Sequence, residues 1–410
     1  MSEALGGRPS AGTPGEVFRA ALALGLTSFG GPVAHIGYFR REYVERRHWL
    51  GDAAFADLVA LAQLLPGPAS SQLGIAIGAR RAGIAGGVAA WLGFTLPSAL
   101  LLLGFGLVLS AADLASAGWV HGLKVAAVAV VAQAIWAMGR TLAPDRPRLA
   151  IAAVAAIVSL VWASSAAQLV LIAAGAIAGR LALSPPAGSM AGPGWTAISR
   201  RAGLGFLGAY AILLVVLPVA VGGRAGLASL FSAFYVAGAL VFGGGHVVLP
   251  LLHGTVVEPG WVTNGEFLAG YGAAQAVPGP LFTVAAFLGA VAVVPSATGV
   301  TAIAATPGGI PGAGVALAGI FLPSFLLVFG TLPFWDRLRR SPGFRRALAG
   351  TNAVVVGILV AAFWDPIWTG AVRGPIDVAV AGIGLALLLT RRVPPIVVVG
   401  LAACAGQLLG

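Results

Sequence analysis

The sequence predicts an all-α polytopic membrane protein made of two homologous halves in inverted topology, with broken or re-entrant helices. Three observations predict this fold: a composition poor in charge, about thirteen apolar segments, and a set of motifs that occurs twice. Of the 410 residues, 59% are hydrophobic and only 9% are charged, and the mean hydropathy is +0.96. Because a soluble domain is about 25% charged, we expect a chain of this composition to be solvated by lipid.

The charged residues, the histidines and the cysteine exclude several other classes of protein. The net charge is +11, but the arginines stand in short clusters between apolar runs. This pattern is typical of the loops that orient membrane proteins and not of a nucleic-acid surface. Cys404 is the single cysteine and the five histidines form no HExxH motif, so no disulfide framework or metal site is indicated. We therefore expect no enzyme, no cofactor, no metal and no nucleic-acid partner.

Thirteen segments approach the length of about 20 apolar residues that a membrane-spanning helix needs. They begin near Val17, Ala54, Ile84, Gly118, Leu149, Ala166, Gly205, Ala228, Gly265, Gly312, Arg346, Pro375 and Pro394. A polar tail (1–15), which lacks the order of a signal peptide, is expected in the cytoplasm. The rest divides into a first repeat (16–183), a linker (184–204), a connecting transmembrane helix (205–226) and a second repeat (227–410).

The two repeats share motifs in the same order. An FGG motif at positions 29–31 recurs at positions 242–244. The run AQLLPGP at positions 62–68 recurs as AQAVPGP at positions 274–280, at almost the same offset along the chain. FTLPS, which ends at Ser98, corresponds to IFLPS, which ends at Ser324, after a slightly longer loop in the second half. Rare patterns in one order at a nearly constant offset indicate an internal duplication.

The basic residues predict the orientation of the chain. If the N-terminus is inside and all thirteen segments cross, 17 of the 24 basic residues lie inside and 7 outside, which supports N-in and C-out. The main exception is the first loop, with Arg40, Arg41, Arg46 and Arg47. This loop moves inside if the first two segments are re-entrant hairpins, and the counts become 21 and 3. Both arrangements stay open, and in both the seventh segment inverts the second half.

The Pro66-Gly67-Pro68 motif predicts a helix break at membrane depth. Each proline lacks an N–H group and disfavours helical geometry in the residue before it, while glycine accepts almost any backbone angle. Pro68 suits the first position of a new helix, whose free N–H groups and positive dipole end favour an oxyanion. The polar residues at 70–72 would add donors. The second copy has fewer hydroxyl groups, so we expect the two breaks to match in backbone and differ in side chains.

The FGG motifs and a few polar residues in apolar segments are further candidates. Consecutive glycines let backbones approach closely, and a tight helix crossing accounts for them as well as a binding site does. His246 directly follows the second FGG motif, and for this residue a role in binding and a role in proton coupling both stay open. Lys124 either supplies positive charge to an anion path or extends to the membrane surface. Asn352 is polar where its first-half counterpart, Ala127, is apolar.

Together these features give the predicted site. The expected substrate-binding residues are Ser28, Gly30, Gly31, Gln63, Pro66, Gly67, Pro68, Ser70, Ser71, Gln72, Lys124, Gly243, Gly244, His246, Gln275, Pro278, Gly279, Pro280, Thr283 and Asn352. Asp57 and Glu266, near segment starts, are interpreted as helix caps, and His35 as a packed polar residue near a helix end. No catalytic residue is predicted.

The first half contains SFGGP, HIGYFRREYVERRHWL, AQLLPGPASSQLG and FTLPS, and the second half contains FGGGHVVLPLL, AQAVPGPLFTVAAFLG and FLPSFLL. With these motifs the chain resembles the chromate transporter family in its long, two-domain form. The resemblance covers nearly the whole chain outside the N-terminal tail and the linker. It implies export of chromate from the bacterial cytoplasm across the inner (cell) membrane, and chromate resistance. It also implies secondary transport, driven by an ion gradient and not by ATP.

The substrate and the coupling have alternatives. Sulfate is the close structural analogue of chromate, and a carrier of sulfate or another small anion without a resistance role stays open. A passive anion channel would need a continuous polar path, for which too few polar residues occur at helical spacing. Besides the lipid bilayer and the oxyanion, a coupling ion (a proton or a counter-anion) and a homodimeric partner are left open.

Overall fold

The computed structural model describes residues 12–111, 117–162, 164–184, 198–221, 226–242, 245–293, 308–390 and 392–409. Within these ranges every regular element is helical, as predicted, and no strand occurs. Five helical stretches in the described residues are long and apolar enough to cross a membrane: Ala69–Ser110, Gly118–Leu142, Arg200–Val221, Gly309–Arg340 and Pro342–Ala371.

The first half is made of seven helices and one π-helical turn, Arg40–Arg46, in the residues described. The helices are α1 (Pro14–Thr27), α2 (Gly31–Phe39), α3 (Asp52–Leu64), α4 (Ala69–Ala111), α5 (Gly118–Leu142), α6 (Arg146–Val161) and α7 (Ser165–Ala182). The connecting helix is α8 (Arg200–Val221). Gly203 is the only buried residue of this helix, so α8 contributes little to the protein core.

The second half contains ten helices in the described part of the chain, several of them short. They are α9 (Leu227–Ala239), α10 (Val248–Leu252), α11 (Asn264–Ala276), α12 (Val284–Val291), α13 (Gly309–Thr331), α14 (Trp335–Arg340), α15 (Pro342–Ala362), α16 (Thr369–Ala371), α17 (Pro375–Leu389) and α18 (Pro395–Leu409). The 3₁₀ turns are Gly245–Val247, Leu281–Thr283 and Leu332–Phe334, and the π-helical turns are His253–Val257 and Phe363–Trp368.

Helix α4 consists of two arms joined at a sharp corner. Ala82 and Gly83 have non-helical backbone angles, and Gly83 has a φ of +66°, which favours glycine. The arm before the corner (69–81) rises only about 20 Å at 1.5 Å per residue, too short for a membrane core of about 30 Å. The arm after it (84–111) starts where the sequence predicts the third segment, near Ile84.

The first-half segments that carry the breaks fold as hairpins. The N–H group of Gly12, just before α1, donates to the carbonyl of Arg81 at 3.0 Å. The Arg81 guanidinium lies 5.0 Å from the ring centre of Trp49, just after the π-helical turn. Both ends of the segment 12–49 therefore meet the end of the short arm of α4. Because α3 begins at Asp52 and the short arm ends at Arg81, beside Trp49, the two ends of the second segment also lie close together.

The second-half segments show the same closure. The N–H of Val293, at the end of α12, donates to the carbonyl of Trp261 at 2.8 Å. Val293 and Trp261 are the counterparts of Arg81 and Trp49 at the offset that relates the two PGP motifs. Gly308, just before α13, donates to Ala292 at 2.9 Å. The ends of the second-half hairpins therefore gather around the start of α13.

Helix α13 and the long arm of α4 run in opposite directions between the two sets of hairpin ends. The long arm starts beside Arg81, and its Gly106 packs against Phe287 in α12. Helix α13 starts beside Ala292 and continues through α14, where Arg339 forms an ion pair with Asp57 in α3. Each of these long helices therefore leads from the hairpin ends of its own half to an element of the opposite half.

Candidate functional site

The first break lies where two prolines stop α3. Leu65 takes an extended conformation with a ψ of 145°, as expected before a proline. Gly67 has a φ of +124°, in the region that favours glycine. Helix α4 begins at Ala69, one residue later than the predicted start at Pro68. The break itself is buried within the protein.

The first turn of α4 presents free backbone donors at this break. Its first backbone hydrogen bond runs from the N–H of Gln72 to the carbonyl of Pro68, at 2.9 Å. The N–H groups of residues 69–71 therefore have no acceptor within the helix. The side-chain Nε2 of Gln72 donates to the carbonyl of Pro66 at 2.6 Å and closes the loop on itself. Ser70, Ser71 and Gln72 are all buried.

The other half of the protein completes the first break. The N–H of Gly67 donates to the carbonyl of Val241, directly before the second FGG motif, at 2.7 Å. A methyl group on Gly67 would lie 2.9 Å from the hydroxyl of Ser324, which belongs to the second LPS motif. The first PGP motif therefore meets two second-half motifs, and the sequence alone did not indicate this crossed pairing.

The second break repeats the crossed arrangement. The N–H of Gly279, whose φ is +101°, donates to the carbonyl of Ser28 at 2.9 Å. A methyl group on Gly279 would lie 2.8 Å from the hydroxyl of Ser98 in the first LPS motif. Ser28 and Val241 each directly precede the phenylalanine of an FGG motif, and Ser98 and Ser324 each end an LPS motif. The two breaks are thus related by the internal duplication.

The two helix starts differ in backbone, which corrects the expectation that they match. At the second break a 3₁₀ turn, Leu281–Thr283, comes before α12. The N–H of Thr283 donates to the carbonyl of Pro280 at 3.0 Å, which leaves the N–H groups of two residues, not three, free of a local acceptor. The hydroxyl of Thr283 also donates to Pro280, at 2.7 Å. This break therefore has fewer free donors than the first.

The first FGG motif reverses the chain between α1 and α2. Gly30 and Gly31 have φ angles of +98° and +77°, which explains why glycines stand there. The carbonyl of Ser28 accepts from Gly279 and also from Nε2 of His35, at 3.2 Å. His35 is 1% exposed and packs edge-on against Phe94, so it is a packed polar residue. Gly243 and Gly244 of the second motif lie outside the described residues.

His246 lies in the segment that follows the second FGG motif, and Asn352 lies on a helix that packs against this segment. Nδ1 of His246 and the hydroxyl of Tyr271 in α11 are 2.7 Å apart. Helix α15, which carries Asn352, packs against the segment from Gly245 to Leu252. The Oδ1 atom of Asn352 is buried without a hydrogen-bond partner in the described part of the chain. Tyr271 was not predicted, because tyrosine in an apolar helix gives no signal that separates binding from packing.

Lys124 lies apart from the breaks, and the two predicted glutamines differ in exposure. Lys124 is 7% exposed and its Nζ lies against Gly265, at the start of α11. The second break follows the far end of that helix, about 20 Å away at 1.5 Å per residue. Gln63 is exposed, whereas Gln275 is partly buried with its Nε2 atom unpaired among the described residues. A role for Lys124 therefore concerns the approach to the site, not the breaks themselves.

The two predicted helix caps have different outcomes. Glu266 is a cap: its carboxylate accepts from the N–H of Thr263 at 2.9 Å, and the Thr263 hydroxyl accepts from Glu266 N–H at 3.2 Å. For Asp57 the prediction was wrong. Its carboxylate accepts from Arg339 at 2.6 Å and from the indole of Trp335 at 3.1 Å. A partner so distant along the chain could not be inferred from the local sequence.

Several of the buried polar atoms that have no hydrogen-bond partner among the described residues lie at the breaks and the adjoining motifs. Native proteins leave few such atoms unpaired. In the described residues they include Ser28 Oγ, His35 Nδ1, Ser71 Oγ, Gln72 Oε1, Thr95 Oγ1 and Ser324 Oγ. In the same residues no group of three or more histidine, cysteine, aspartate or glutamate side chains could hold a metal ion. The polar groups at the breaks are therefore uncharged: hydroxyl and backbone N–H donors, together with the acceptor atoms Gln72 Oε1 and His35 Nδ1.

Comparison with known proteins decides the family. The sequence model described as "Chromate transporter" matches residues 15–180 and 228–407. The chain belongs to the chromate transporter family. With its apolar helices, this membership makes it a multi-pass membrane protein with a transport role. No solved structure matches it.

Named members of the chromate transporter family are similar over nearly their full length. The chromate transport protein of Pseudomonas aeruginosa is 31% identical over 96% of this chain and 92% of its own. The probable chromate transport protein of Synechococcus elongatus is 29% identical over 94% and 93%. The chromate transport protein of Cupriavidus metallidurans is 28% identical over 93% and 90%. The similarity therefore extends over both halves of the chain.

Proposed function

We propose that this protein is a secondary active transporter that exports chromate, a tetrahedral oxyanion, from the bacterial cytoplasm across the inner membrane. The observation that carries the proposal is the first turn of α4. Three free N–H groups stand there beside the buried hydroxyl of Ser71, which has no partner among the described residues. A helix N-terminus with added donors favours an oxyanion. Relatives named chromate transport protein supply the choice of anion.

In this proposal the substrate binds between opposed helix N-termini at the two PGP breaks. The first arm of α4 leads from its break toward the first-half hairpin ends, and α12 leads from its break toward the second-half ends. The proposed ligands at the breaks are the predicted residues that lie there: Gly30, Gly31, Pro66, Gly67, Pro68, Ser28, Ser70, Ser71, Gln72, Pro278, Gly279, Pro280 and Thr283. His246 and Asn352 would act beside them, and Lys124 on the approach path.

We further propose an inverted repeat with the N-terminus inside and the C-terminus outside. The closed hairpins at Arg81 and at Trp261 support re-entrant segments, and the opposed courses of α13 and the long arm of α4 support inversion. The re-entrant arrangement keeps the four arginines of the first loop inside and agrees best with the distribution of basic residues. Alternating access would then move one half against the other around the breaks.

Uptake of labelled chromate and sulfate into inside-out vesicles tests the proposal, because uptake there corresponds to export. We expect chromate uptake that depends on an imposed ion gradient and is absent from vesicles without the protein. Uptake of sulfate but not of chromate would identify the protein as a sulfate carrier, the alternative function. Uptake indifferent to every gradient would indicate a passive channel, and uptake of neither anion would refute the substrate class.

A pH gradient and a counter-anion gradient, imposed separately, distinguish the two candidate coupling ions. His246→Gln keeps a polar side chain but removes the imidazole that would take up and release a proton. If a proton is coupled through His246, chromate uptake by this variant no longer responds to the pH gradient. The variant still exchanges labelled chromate outside the vesicles for unlabelled chromate inside. An unchanged response in the variant would exclude His246 from coupling.

A further inference from the structure

The two breaks differ in how their equivalent hydroxyl groups are used. At the second break, the Ser98 hydroxyl donates to the carbonyl of Thr95 at 3.1 Å and the Thr283 hydroxyl donates to Pro280 at 2.7 Å. Their counterparts at the first break are Ser324 and Ser71. Both of these are no more than 1% exposed, and neither hydroxyl has a partner in the described part of the protein.

The free hydroxyl of Ser324 is not explained by its local backbone. Ser324 and Ser98 both follow a proline inside a helix. Ser324 has the carbonyl of Phe321 three positions before it, just as Ser98 has that of Thr95. Ser98 uses this acceptor and Ser324 does not. A buried hydroxyl without a partner is unfavourable, so Ser324 is arranged for a group that the polypeptide does not supply.

The position of Ser324 shows which other donors would contact the missing group. Its hydroxyl faces Gly67, where a methyl group would lie only 2.9 Å from it. The same break holds the Ser71 hydroxyl and the free N–H groups at the start of α4. Hydroxyl and N–H donors from two directions can surround the oxygens of a tetrahedral anion. A methyl group on Gly67 would also lie 2.5 Å from Nε2 of Gln72, so glycine at this position lets the polar groups of the break stand close together.

We propose that Ser324, from the second half, is an oxyanion ligand at the first break and that this break is the principal substrate site. The proposal rests on the transport function proposed above and sharpens it, because it assigns unequal roles to two related breaks. At the second break, the hydroxyls of Ser98 and Thr283 already donate to backbone carbonyls. The hydroxyls of Ser28 and Thr95 are also unpaired there among the described residues, but this break has one free backbone N–H fewer than the first, which makes it the weaker site.

Ser324→Ala and its symmetry counterpart Ser98→Ala test the proposal as a matched pair. Each removes one buried hydroxyl after the same proline. In inside-out vesicles we expect Ser324→Ala to raise the KM for chromate about tenfold or more, the usual effect of losing a hydrogen bond to a charged group. Ser98→Ala should leave KM within about twofold of the wild type. Equal KM values for the two variants, or a larger effect of Ser98→Ala, would overturn it.

A binding measurement keeps the test independent of transport. Thermal unfolding of the purified, detergent-solubilised chain is followed with increasing sodium sulfate or chromate, against sodium chloride at equal ionic strength. An anion that binds the folded state raises the unfolding midpoint. We expect the rise in the wild type and in Ser98→Ala, and its loss in Ser324→Ala. If the wild type binds but does not transport, only the transport function fails; a rise unchanged in Ser324→Ala refutes the ligand role.

Discussion

Asp57 and Arg339 form an ion pair that joins the two halves inside the protein. The carboxylate Oδ1 and the guanidinium Nη1 are 2.6 Å apart, and the two side chains are 2% and 1% exposed. The indole of Trp335 donates to the same oxygen, and Asp336 is a second partner of Arg339. The position equivalent to Asp57 in the second half is Ala269. The first half is therefore held to α14 by an ionic contact that the duplication does not repeat.

Arg339→Met should strongly destabilise the protein. The substitution leaves the Asp57 carboxylate buried without its cation, which costs about 3–5 kcal/mol for comparable buried pairs. Asp57→Asn in the same chain should recover part of the loss, because no charge then stays uncompensated. Thermal unfolding in detergent measures both effects. Arg40→Met is the control, since the Arg40–Glu45 pair is exposed and exposed pairs contribute about 0–1 kcal/mol. A double variant no more stable than Arg339→Met would show that charge compensation is not the cause.

Gly67→Ala should abolish most transport while the protein still inserts. The backbone at Gly67 has a φ of +124°, where a side chain costs about 1–2 kcal/mol, and the new methyl group would displace both Nε2 of Gln72 and the Ser324 hydroxyl. We expect at least a tenfold (~1.4 kcal/mol) loss of chromate uptake. Gly104→Ala is the matched control, because Gly104 lies in the same helix with open space around it. Full activity of Gly67→Ala would mean that the PGP motif is only a kink.

Single cysteines on a Cys404→Ser background should report the proposed topology. Arg41, Glu258 and Arg337 are exposed and lie in the first hairpin loop, the second-half hairpin loop and the segment after α13. We expect Arg41→Cys and Arg337→Cys to react with a membrane-impermeant maleimide only in inside-out vesicles. Glu258→Cys should react only in intact cells. Reaction of Arg41→Cys from outside would mean that the first segment crosses the membrane and is not re-entrant.

Gly350→Leu should prevent correct packing of α15 against α7. A side chain at Gly350 would collide with the carbonyl of Gly175 and the backbone of Gly179, where small residues let the helices touch. We expect loss of monodisperse protein after detergent extraction. Gly382→Leu in α17 is the control, because a side chain at Gly382 would meet nothing within 4 Å. If Gly350→Leu is extracted as monodisperse protein, α7 and α15 do not cross at Gly350.

The sequence was sufficient for features that depend on local chemistry. Proline and glycine restrict the backbone wherever they stand, so the breaks at Gly67 and Gly279 could be located from the motifs alone. The cap at Glu266 follows the same logic. Contacts between distant residues could not be derived in this way. The interpretation of Asp57 as a cap failed because its cation lies in the other half, and Ser324 gave no signal beyond its place in a repeated LPS motif. The 3₁₀ start before α12 also depends on packing.

The crossed hydrogen bonds at the breaks have a consequence for how the chain is made. The N–H of Gly67 finds its acceptor on Val241, which is synthesised much later. At about 5–20 residues per second, the ribosome needs about 10–30 s to supply that acceptor. During this interval the amide cannot lie in hydrocarbon unpaired without a large cost. We therefore expect the first pair of hairpins to wait in a hydrated or protein-lined environment and to enter the membrane fold only after the second pair has been synthesised.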